Sequence, residues 1–594
     1  MGNFPDCSRY GVTSSTHGFI ARPGTCALFP RTRAYRYGIA SRPAQGATIS
    51  TIRSATLGQL LSETARKYPD NDALVYVDRG FRLTYAELDA MVDTMAKGLM
   101  ALGVQKGEKV AIWATNVPYW VVLQFATARI GAVLLTVNTS YKTEELKYLL
   151  TQSKTETIFI IDGFRDTDYV LTLYELLPEL KTAPRGQLAS QAFPRLKRVC
   201  FLGPEKHRGM YSVPEILGLA AMTSDVQYEE RQASLDPGDV VNMQYTSGTT
   251  GFPKGVMLTH QGIGNNGFWI GENQNFGPTD RLCLPVPLFH CFGCVLGVLA
   301  AVTHGSAMIV CETYVPVTVM QSVEKERCTA LYGVPTMFIA ILDHDLFPKF
   351  DFSTLRTGIM AGSPCPAPIM RQVMDKMHMT EITICYGLTE ASPVMTQTRI
   401  EDDLRRKTET VGRPMPEIEV KVVDPETNEE VEPGVQGEVL CRGYNVMKGY
   451  YDMPEATAKA VSPEGWLHSG DLGVMDGDGY LSITGRLKDM IIRGGENIYP
   501  KEIEEFLYTM DCIRDVQVAG VPSRKYGEEV GAFIILKDGC ESTPEDVRDF
   551  CRGKIAWHKI PKYIVFLDDY PMTASGKVQK FKLRDLAAEM FPQA

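Results

Sequence analysis

The sequence predicts an α/β fold: a large N-terminal domain of parallel-type sheets covered by helices, a β-rich subdomain, and a small α+β C-terminal domain. The first reason is length, because a chain of 594 residues is too long for one hydrophobic core. The second is the alternation of short apolar runs with longer segments of helical periodicity, which is typical of helix-covered parallel sheets. The third is a change after Val411, where short β-like runs are separated by Gly, Pro and Asp.

The alternation is clearest between residues 56 and 202. Apolar residues at helical spacing predict helices, and short apolar runs predict strands. The predicted helices are 56–68, 83–102, 118–130 and 143–151, and the predicted strands are 73–77, 109–113, 132–137, 157–161 and 199–202. Thr84 and Glu87 stand three residues apart at the start of the second helix, which is the capping-box pattern. Residues 183–191 indicate an irregular connection.

The last third of the chain predicts the β-rich subdomain and the smaller domain. The expected subdomain strands are 418–423, 437–441 and 480–483, and the expected elements of the smaller domain are helices 500–508 and 544–554 with strands near Val516 and Ala532. The link from Gly485 to Lys488 is the best boundary. We therefore expect a leader or disordered extension over 1–52, an N-terminal domain over 53–485, a hinge at 486–488 and a C-terminal domain over 489–594.

The leader is rich in arginine and poor in acids. Six arginines face a single acid, Asp6; they are Arg9, Arg22, Arg31, Arg33, Arg36 and Arg42. This composition resembles a mitochondrial transit peptide. A disordered extension and a start codon assigned too far upstream are the alternatives. We expect a soluble intracellular protein of the cytoplasm, or of the mitochondrial matrix if the leader is a transit peptide.

Composition and charge argue against several classes of function. A net charge of −10 without a long basic patch gives no reason to expect nucleic-acid binding. The 14 cysteines lack the spacing of a disulfide framework and indicate reduced thiols. Cys291 and Cys294 form a lone CxxC pair, so packing thiols are a better interpretation than a zinc site. Residues 283–311 carry no charge but are interrupted by prolines and glycines, which indicates a strand and a buried helix rather than a membrane span.

One stretch concentrates phosphate-binding chemistry. Residues 245–255, YTSGTTGFPKG, follow a predicted strand and hold four Ser/Thr hydroxyls, three glycines and one lysine. Glycine lets the backbone approach a ligand closely, and N–H groups, hydroxyls and a cation suit a polyphosphate. A Walker A loop is disfavoured, because Pro253 precedes Lys254 and Gly255 follows it. Taken alone, the stretch could also be a polar surface turn.

The same stretch resembles the signature loop of the adenylate-forming enzymes, and further motifs of that family follow in the family's order. They are AGSP at 361–364, YGLTE at 386–390, SGD at 469–471, Gly485-Arg486 and PMTASGKVQK at 571–580. With MIIRGGENIYP at 490–500 and KIPKY at 559–563, the chain is most similar to the medium-chain fatty acyl-CoA synthetases. The resemblance covers nearly the whole chain apart from the leader.

The resemblance implies an ATP-dependent fatty acid–CoA ligase that works in two half-reactions. A carboxylate attacks the α-phosphate of Mg·ATP to give acyl-AMP and pyrophosphate, and the thiol of coenzyme A then gives acyl-CoA and AMP. Between the steps the small C-terminal domain rotates about a hinge at Lys488. The implied ligands are ATP, Mg²⁺, coenzyme A and a medium- to long-chain fatty acid, bound by a monomer or homodimer that has no transmembrane segment.

The resemblance also implies roles for individual residues. Lys577 is the implied catalytic lysine, whose ammonium bridges the two anions that react, while Thr389 contacts the α-phosphate and Glu390 holds Mg²⁺. Asp471 accepts hydrogen bonds from the ribose hydroxyls. The implied ATP site comprises Thr246, Ser247, Gly248, Thr249, Thr250, Gly251, Lys254, Gly362, Ser363, Tyr386, Gly387, Asp471, Arg486 and Lys577.

Two further sites are expected in the matching segments. The candidates for an acyl pocket are Phe289, His290, Tyr332, Gly333, Val334 and Met360. The candidates for coenzyme A binding are Gly494, Gly495, Arg524 and Lys525. Ser523 departs from the aspartate that many relatives carry beside this last pair.

Other functions share part of this pattern. An aryl acid–CoA ligase of the same superfamily and a luciferase-type oxygenase carry the same motifs, whereas a peptide-synthetase adenylation unit would continue into a carrier domain. A non-catalytic nucleotide-binding relative is the alternative from another class. The presence of Lys577, Glu390 and Asp471 together favours a catalyst over a nucleotide sensor.

Overall fold

The computed structural model describes residues 52–246, 253–363, 365–494, 496–573 and 578–591. Its α-helices are, in chain order, α1 Leu57–Lys67, α2 Tyr85–Ala101, α3 Pro118–Arg129, α4 Thr143–Ser153, α5 Tyr169–Leu176, α6 Val213–Leu219, α7 Asp225–Ala233, α8 His260–Asn273, α9 Val298–His304, α10 Pro316–Lys325, α11 Pro335–Leu342, α12 Ala367–Lys376, α13 Leu404–Glu409, α14 Pro454–Ala460, α15 Pro500–Leu507, α16 Pro544–Cys551 and α17 Lys580–Met590.

The strands are numbered in the same way. In chain order they are β1 Asp72–Tyr76, β2 Phe81–Thr84, β3 Lys109–Trp113, β4 Val133–Thr136, β5 Thr157–Ile160, β6 Gly163–Phe164, β7 Thr167–Asp168, β8 Arg198–Phe201, β9 Tyr211–Ser212, β10 Val240–Thr246, β11 Lys254–Thr259, β12 Arg281–Leu284, β13 Ala307–Val310, β14 Ala330–Gly333, β15 Thr357–Met360, β16 Glu381–Thr383, β17 Cys385–Gly387, β18 Val394–Gln397, β19 Arg413–Pro414, β20 Ile418–Val423, β21 Gln436–Gly443, β22 Gly449–Tyr450, β23 Leu467–Met475, β24 Leu481–Arg486, β25 Ile491–Arg493, β26 Glu496–Ile498, β27 Ile513–Ser523, β28 Gly527–Leu536 and β29 Tyr563–Phe566.

The helix starts follow from the local sequence. Thr56 caps α1 by accepting a hydrogen bond from the N–H of Gln59, whose side chain accepts one in return. Thr84 and Glu87 make the same reciprocal pair at the start of α2, which confirms the predicted capping box. Both helices therefore begin with their first backbone donors satisfied.

Two large sheets carry the N-terminal domain. One has seven strands in the order β16-β15-β14-β12-β13-β1-β2, parallel except for the β1–β2 pair. The other has eight strands in the order β22-β11-β10-β4-β3-β5-β8-β9, parallel from β10 to β9 and antiparallel at β11 and β22. The predicted parallel-type sheets covered by helices are confirmed.

Alternate residues of each large sheet enter different cores. Leu284 and Ile112 face a shared central core, which also holds α2, α3, α8 and α9. Cys283 faces an outer core with α10, α11 and α12, and Trp113 faces another outer core with α4 and α5. Helices thus lie between the two sheets and outside each of them, which explains why α3 is buried on nearly all sides.

The β-rich part and the last domain complete the chain. Strands β20, β21, β23 and β24 form an antiparallel sheet of four strands, as the short runs after Val411 predict. In the last domain β25 to β29 form one sheet, which packs against α15, α16 and α17. The predicted α+β character of this domain is confirmed.

The uncharged stretch at 283–311 folds inside the N-terminal domain. It supplies the end of β12, a π-helical turn at Phe292–Gly297, α9 and β13, so the predicted strand and buried helix are confirmed. Among the described helices none is long and apolar enough to cross a bilayer. Cys291 and Cys294 are buried thiols in the central core, as the packing interpretation predicts.

Candidate active site

The glycine-rich stretch connects two paired strands of the eight-stranded sheet. In the β10–β11 pair, Thr246 lies opposite Lys254, and β10 is also paired in parallel with β4. The loop residues Ser247, Gly248, Thr249, Thr250 and Gly251 lie outside the described residues. Because the two stems are paired, the ends of the loop are held next to each other at one edge of the sheet.

Tyr148 holds the second stem from outside the hairpin. This residue of α4 donates a hydrogen bond from its hydroxyl to the backbone carbonyl of Pro253, over 3.0 Å. The N–H of Tyr451 donates to the carbonyl of Gly255 over 2.8 Å. The two carbonyls flank Lys254, so backbone contacts on both sides limit where this lysine can lie.

Glu390 is buried beside the stems of the loop. The hydroxyl of Tyr450 donates to Glu390 Oε1 over 2.8 Å, and Thr246 Oγ1 lies 3.4 Å from the same oxygen. Lys254 Nζ lies 4.7 Å from the centre of the Tyr450 ring. A hydroxyl, a carboxylate and an ammonium are therefore grouped at the end of β10, which is a suitable donor set for a metal-bound polyphosphate.

The residues around Glu390 fit a magnesium ion that arrives with a nucleotide. Both hydroxyl contacts reach Oε1, and within the described residues Oε2 has no hydrogen-bond donor. Mg²⁺ is usually bound through one or two carboxylates together with substrate phosphates, so one available carboxylate oxygen is enough. The described residues contain no cluster of three or more His, Cys, Asp or Glu that could hold a metal without such a substrate.

Thr389 lies between the central core and this site. Its hydroxyl is 3.9 Å from the Cys291 sulfur, and both residues are buried. His290, next to Cys291, is half-buried, and its Nδ1 accepts a hydrogen bond from the N–H of Phe292 over 3.1 Å. Thr389 thus has the protein core on one side and Glu390 beside it in the chain.

A second group of polar side chains surrounds Asp471. The hydroxyl of Tyr386 donates to Asp471 Oδ2 over 2.8 Å, and Arg486 Nε lies 2.8 Å from Asp471 Oδ1. Asp471 and Arg486 face each other across β23 and β24. The Asp471 carboxylate raises the pKa of Arg486, so the arginine stays charged. Strand pairing brings Asp471 beside Arg486, and Tyr386 reaches the same carboxylate from a position 85 residues earlier in the chain.

Glu438 supports the turn that carries Asp471. Its carboxylate accepts a hydrogen bond from the Gly470 N–H over 3.0 Å, and its other oxygen lies 2.9 Å from His468 Nδ1. The N–H of Leu487 donates to the carbonyl of Gly470 over 3.0 Å. The turn at Gly470 is therefore connected directly to the segment predicted as the hinge.

Lys488, the predicted hinge residue, follows Arg486 closely. Burial and then the charge of Arg486 lower the pKa of Lys488. The N–H of Asp489 donates to the carbonyl of Arg486 over 3.1 Å, which closes a turn across Leu487 and Lys488. Within these few residues the chain passes from Arg486, a candidate for ATP binding, into the last domain.

Backbone geometry explains why two positions of the predicted ATP site are glycine. Gly362 has a φ of 93°, a conformation that side chains disfavour. At Gly387 a Cβ atom would lie 1.9 Å from the carbonyl oxygen of Pro393, so the close approach of the two strands requires glycine. Ser363 follows Gly362 directly, and both are in the segment after β15.

The acyl-pocket candidates do not all lie on one face of the seven-stranded sheet. Phe289, Tyr332 and Val334 are in the central core, and Phe292 stacks on Tyr332 with ring centres 5.9 Å apart. Met360 lies opposite Gly333 in the strand register and faces the outer core, whereas Tyr332 lies opposite Ile359. We therefore leave Met360 out of the proposed pocket.

The candidates for coenzyme A binding lie in the last domain. Gly494 has a φ of 60° and packs beside Tyr526, whereas Gly495 lies outside the described residues. Arg524 and Lys525 are exposed, and Lys525 lies over the ring of Tyr526 at 4.8 Å. Lys577 also lies outside the described residues, so its predicted role stays a prediction.

Comparison with known proteins decides the family. The profile of the AMP-binding enzymes matches residues 61–451, and that of the AMP-binding enzyme C-terminal domain matches residues 502–577. This chain belongs to the AMP-binding enzyme family. The resemblance of the sequence motifs to those of the adenylate-forming enzymes is thereby confirmed.

Several relatives of this AMP-binding enzyme are similar over most of their length. YngI of Bacillus subtilis, whose name describes an acyl-CoA synthetase, is 57% identical over 90% of this chain and 98% of its own. The medium-chain acyl-CoA ligase ACSF2 of Danio rerio, a mitochondrial protein by name, is 40% identical over 96% and 94% of the two chains. The predicted enzyme class, an AMP-forming acid–thiol ligase, is therefore confirmed.

Solved structures agree with the architecture of this AMP-binding enzyme. ATP-bound MatB from Rhodopseudomonas palustris superposes with a TM-score of 0.77 at 30% identity, over 90% of this chain and 99% of that one. The fatty acyl CoA synthetase of Mycobacterium tuberculosis superposes with a TM-score of 0.68 at 26% identity, over 90% and 99% of the two chains. The predicted fold class is confirmed.

Sequence reasoning missed three residues that contact the site of this AMP-binding enzyme. Tyr450 contacts both Glu390 and Lys254, Tyr148 supports Pro253, and Glu438 supports the turn at Gly470. An aromatic residue in an apolar stretch is usually part of a core, so neither tyrosine stands out in the sequence. Only the pairing of β22 with β11 reveals that Tyr450 lies beside the loop.

Proposed function

We propose that this enzyme is an ATP-dependent fatty acid–CoA ligase that acts on medium-chain acids. A fatty carboxylate and Mg·ATP give acyl-AMP and pyrophosphate, and coenzyme A then gives acyl-CoA and AMP. The observation that carries the proposal is that one short segment contributes to two polar groups: Tyr386 contacts Asp471, and Glu390, four residues later, contacts Thr246. The medium-chain preference rests on the name of the relative ACSF2.

In the first half-reaction the two groups would bind the two ends of ATP. The carboxylate of Asp471 can accept hydrogen bonds from two ribose hydroxyls, and Tyr386 is close enough to contact the same nucleoside. Thr246, Lys254 and the glycine loop would bind the β- and γ-phosphates that leave as pyrophosphate. Glu390 would hold the Mg²⁺ that offsets their charge.

Lys577 would complete the first half-reaction. The attacking carboxylate and the α-phosphate are both anions, so their approach is unfavourable without a cation between them. An ammonium can reduce this repulsion as charge develops on the transferred group. Thr389 would hold an oxygen of the α-phosphate, because it lies between Tyr386 and Glu390 in the chain.

In the second half-reaction the last domain would turn about Lys488. The adenylate would stay in place while Gly494 and Gly495, with Arg524 and Lys525, approach to guide coenzyme A. Glycine allows a close passage for the narrow pantetheine chain, and the two exposed cations suit the phosphates of coenzyme A. One acyl pocket would serve both steps, which protects the adenylate from water.

The proposed acyl pocket extends from Thr389 into the central core. Phe289, Tyr332 and Val334 lie in that core, with Gly333 between the last two and the half-buried His290 at its edge. Apolar and aromatic walls suit an alkyl chain, because each buried methylene contributes about 0.8 kcal/mol. For its place in the cell we propose the cytoplasm, or the mitochondrial matrix if the Arg-rich leader is a transit peptide.

AMP release tests the proposal directly. The enzyme is incubated with Mg·ATP and coenzyme A across straight-chain acids from acetate to palmitate and a few aryl acids. We expect a maximum at medium chain length that depends on coenzyme A, and a loss of about 100-fold in acyl-AMP formation for Lys577→Ala. A maximum with aryl acids would indicate the aryl ligase, and AMP release with no acid would contradict the proposal.

A further inference from the structure

Tyr450 lies where two parts of the chain that are distant in sequence meet. It forms the short strand β22 with Gly449, and this strand extends the eight-stranded sheet by pairing with β11, Tyr450 opposite Val256. The side chain is 8% exposed and lies in the central core. Its neighbour Tyr451 faces the outer core on the other side of the sheet. Tyr450 thus faces the end of the sheet where the glycine loop begins.

The hydroxyl of Tyr450 contacts the carboxylate proposed to hold the metal. It donates a hydrogen bond of 2.8 Å to Glu390 Oε1. A carboxylate oxygen offers lone pairs, so the phenolic O–H is the donor in this contact. A hydrogen bond to an ionised carboxylate is stronger than one between neutral groups, and it restricts the rotation of that carboxylate.

The ring of the same tyrosine contacts the lysine of the glycine loop. Lys254 Nζ lies 4.7 Å from the ring centre, within the range of a cation–π interaction. Lys254 also faces Thr246 across the hairpin. One side chain therefore contacts the candidate metal ligand through its hydroxyl and the candidate phosphate ligand through its ring.

The backbone around Tyr450 is held on both sides. The N–H of Met447 donates to the carbonyl of Glu390 over 2.8 Å, and the N–H of Lys448 donates to the carbonyl of Met257 over 2.9 Å. The N–H of Tyr450 itself donates to Thr457 Oγ1 over 2.9 Å. A residue held in this way can keep its neighbours in one geometry before the substrate binds.

We propose that Tyr450 is a positioning residue for the adenylation step: its hydroxyl orients Glu390 toward Mg²⁺, and its ring holds Lys254 toward the phosphates of ATP. The inference rests on the proposed function of the site. The proposed role of Tyr450 predicts an effect on the first half-reaction alone, because the first needs Mg·ATP whereas the second starts from acyl-AMP and coenzyme A. A tyrosine that only fills the core would affect both steps alike.

Tyr450→Phe tests the role of the hydroxyl. We measure pyrophosphate release from fatty acid and ATP while the Mg²⁺ concentration is varied, and separately the conversion of supplied acyl-AMP and coenzyme A to acyl-CoA. We expect the Mg²⁺ concentration at half-maximal rate to rise about 10-fold, the value of one charge-assisted hydrogen bond. Acyl-CoA formation from acyl-AMP should stay within about 2-fold of the wild type, which also shows that the variant is folded.

Tyr450→Leu tests the role of the ring. The phenylalanine keeps the aromatic face near Lys254, whereas leucine removes it, so only the leucine variant should show a further rise of about 3- to 10-fold in the KM for ATP. Tyr174→Phe is the control, because it removes a tyrosine hydroxyl that donates to the carbonyl of Arg208 and contacts neither Glu390 nor Lys254. The Tyr174→Phe variant should behave as the wild type in both half-reactions.

Glu390→Gln distinguishes failure of the inference from failure of the proposed function. If Glu390→Gln raises the Mg²⁺ requirement and Tyr450→Phe does not, the positioning role of Tyr450 is wrong while the metal role of Glu390 holds. If neither variant changes it, both roles are wrong. Equal losses in both half-reactions for Tyr450→Phe would also overturn the proposal, because they indicate a packing role alone.

Discussion

Arg486 Nε lies 2.8 Å from Asp471 Oδ1, directly across the β23–β24 pair, while Tyr386 donates to the other oxygen of the same carboxylate. Both oxygens of Asp471 therefore have partners before any ribose is present. Each oxygen has a further lone pair, so the carboxylate can accept ribose hydroxyls without losing either partner. The pair holds the carboxylate in a fixed orientation at the entrance to the predicted hinge.

Asp471→Asn should weaken ATP binding. The amide keeps the shape but loses the charge that pairs with Arg486 and one of the acceptor oxygens. We expect the KM for ATP in pyrophosphate release to rise about 10- to 100-fold, the value of one or two hydrogen bonds to a charged group. Asp478→Asn is the control, because Asp478 is an exposed acid that pairs with Arg406 instead. An unchanged KM for Asp471→Asn would remove the ribose assignment.

Lys488→Pro should separate the two half-reactions. Proline fixes φ near −65°, so the hinge residue can no longer adopt two backbone conformations. We expect pyrophosphate release to stay within about 3-fold of the wild type, and acyl-CoA formation from supplied acyl-AMP to fall by about 100-fold, because coenzyme A is misplaced. Lys488→Ala keeps the backbone freedom and is the control. Equal losses in both steps would place the hinge elsewhere.

Tyr148→Phe should loosen the stem of the glycine loop. It removes the hydrogen bond of 3.0 Å to the carbonyl of Pro253, next to Lys254. A neutral hydrogen bond of this kind is worth about 1 kcal/mol, so we expect the KM for ATP to rise about 3- to 10-fold. Tyr174→Phe is the control, since its hydroxyl makes the same kind of bond, 3.0 Å long, to the carbonyl of Arg208. A similar rise in both variants would argue against a local effect.

His260 should make the N-terminal domain acid-sensitive. Burial lowers its pKa to about 4, against opposing contributions from Asp239 and Asp236, while Lys106 lowers it further. The neutral imidazole, whose Nδ1 accepts from the N–H of Leu57 over 3.2 Å, is therefore the folded form. Unfolded His260 takes up a proton below about pH 6.5. Its contribution to the free energy of unfolding is therefore complete above that pH and is lost as the pH falls toward 4.

The loss of stability that His260 causes is measurable by urea unfolding. Between pH 7 and pH 5 the loss from this histidine should be about 2 kcal/mol in the free energy of unfolding. His260→Gln can still accept the hydrogen bond from Leu57 but does not titrate, so its stability should fall less over the same interval. Parallel pH dependence in the wild type and the variant would show that other groups cause the acid sensitivity.

The sequence predicts local structure and the order of the motifs, but not the strand register. The capping box of Thr84 and Glu87 depends on residues three apart, so it is visible in the sequence and is confirmed. Whether Met360 shares a face with Tyr332 depends on which residue of β14 lies opposite which residue of β15, and a slip of one residue reverses the answer. Tyr450 was missed for the same kind of reason, since its role depends on the pairing of β22 with β11.

The order β20-β21-β23-β24 determines where the chain can be cut. The match to the AMP-binding profile ends at residue 451, before β23 and β24 begin. A truncated fragment that stops there would lose Asp471 and Arg486. It would also leave β21, with its buried Val439 and Cys441, paired with β20 alone and open on its other edge. Open apolar edges promote aggregation. An expression fragment intended to keep nucleotide affinity without the last domain must therefore extend at least through Arg486.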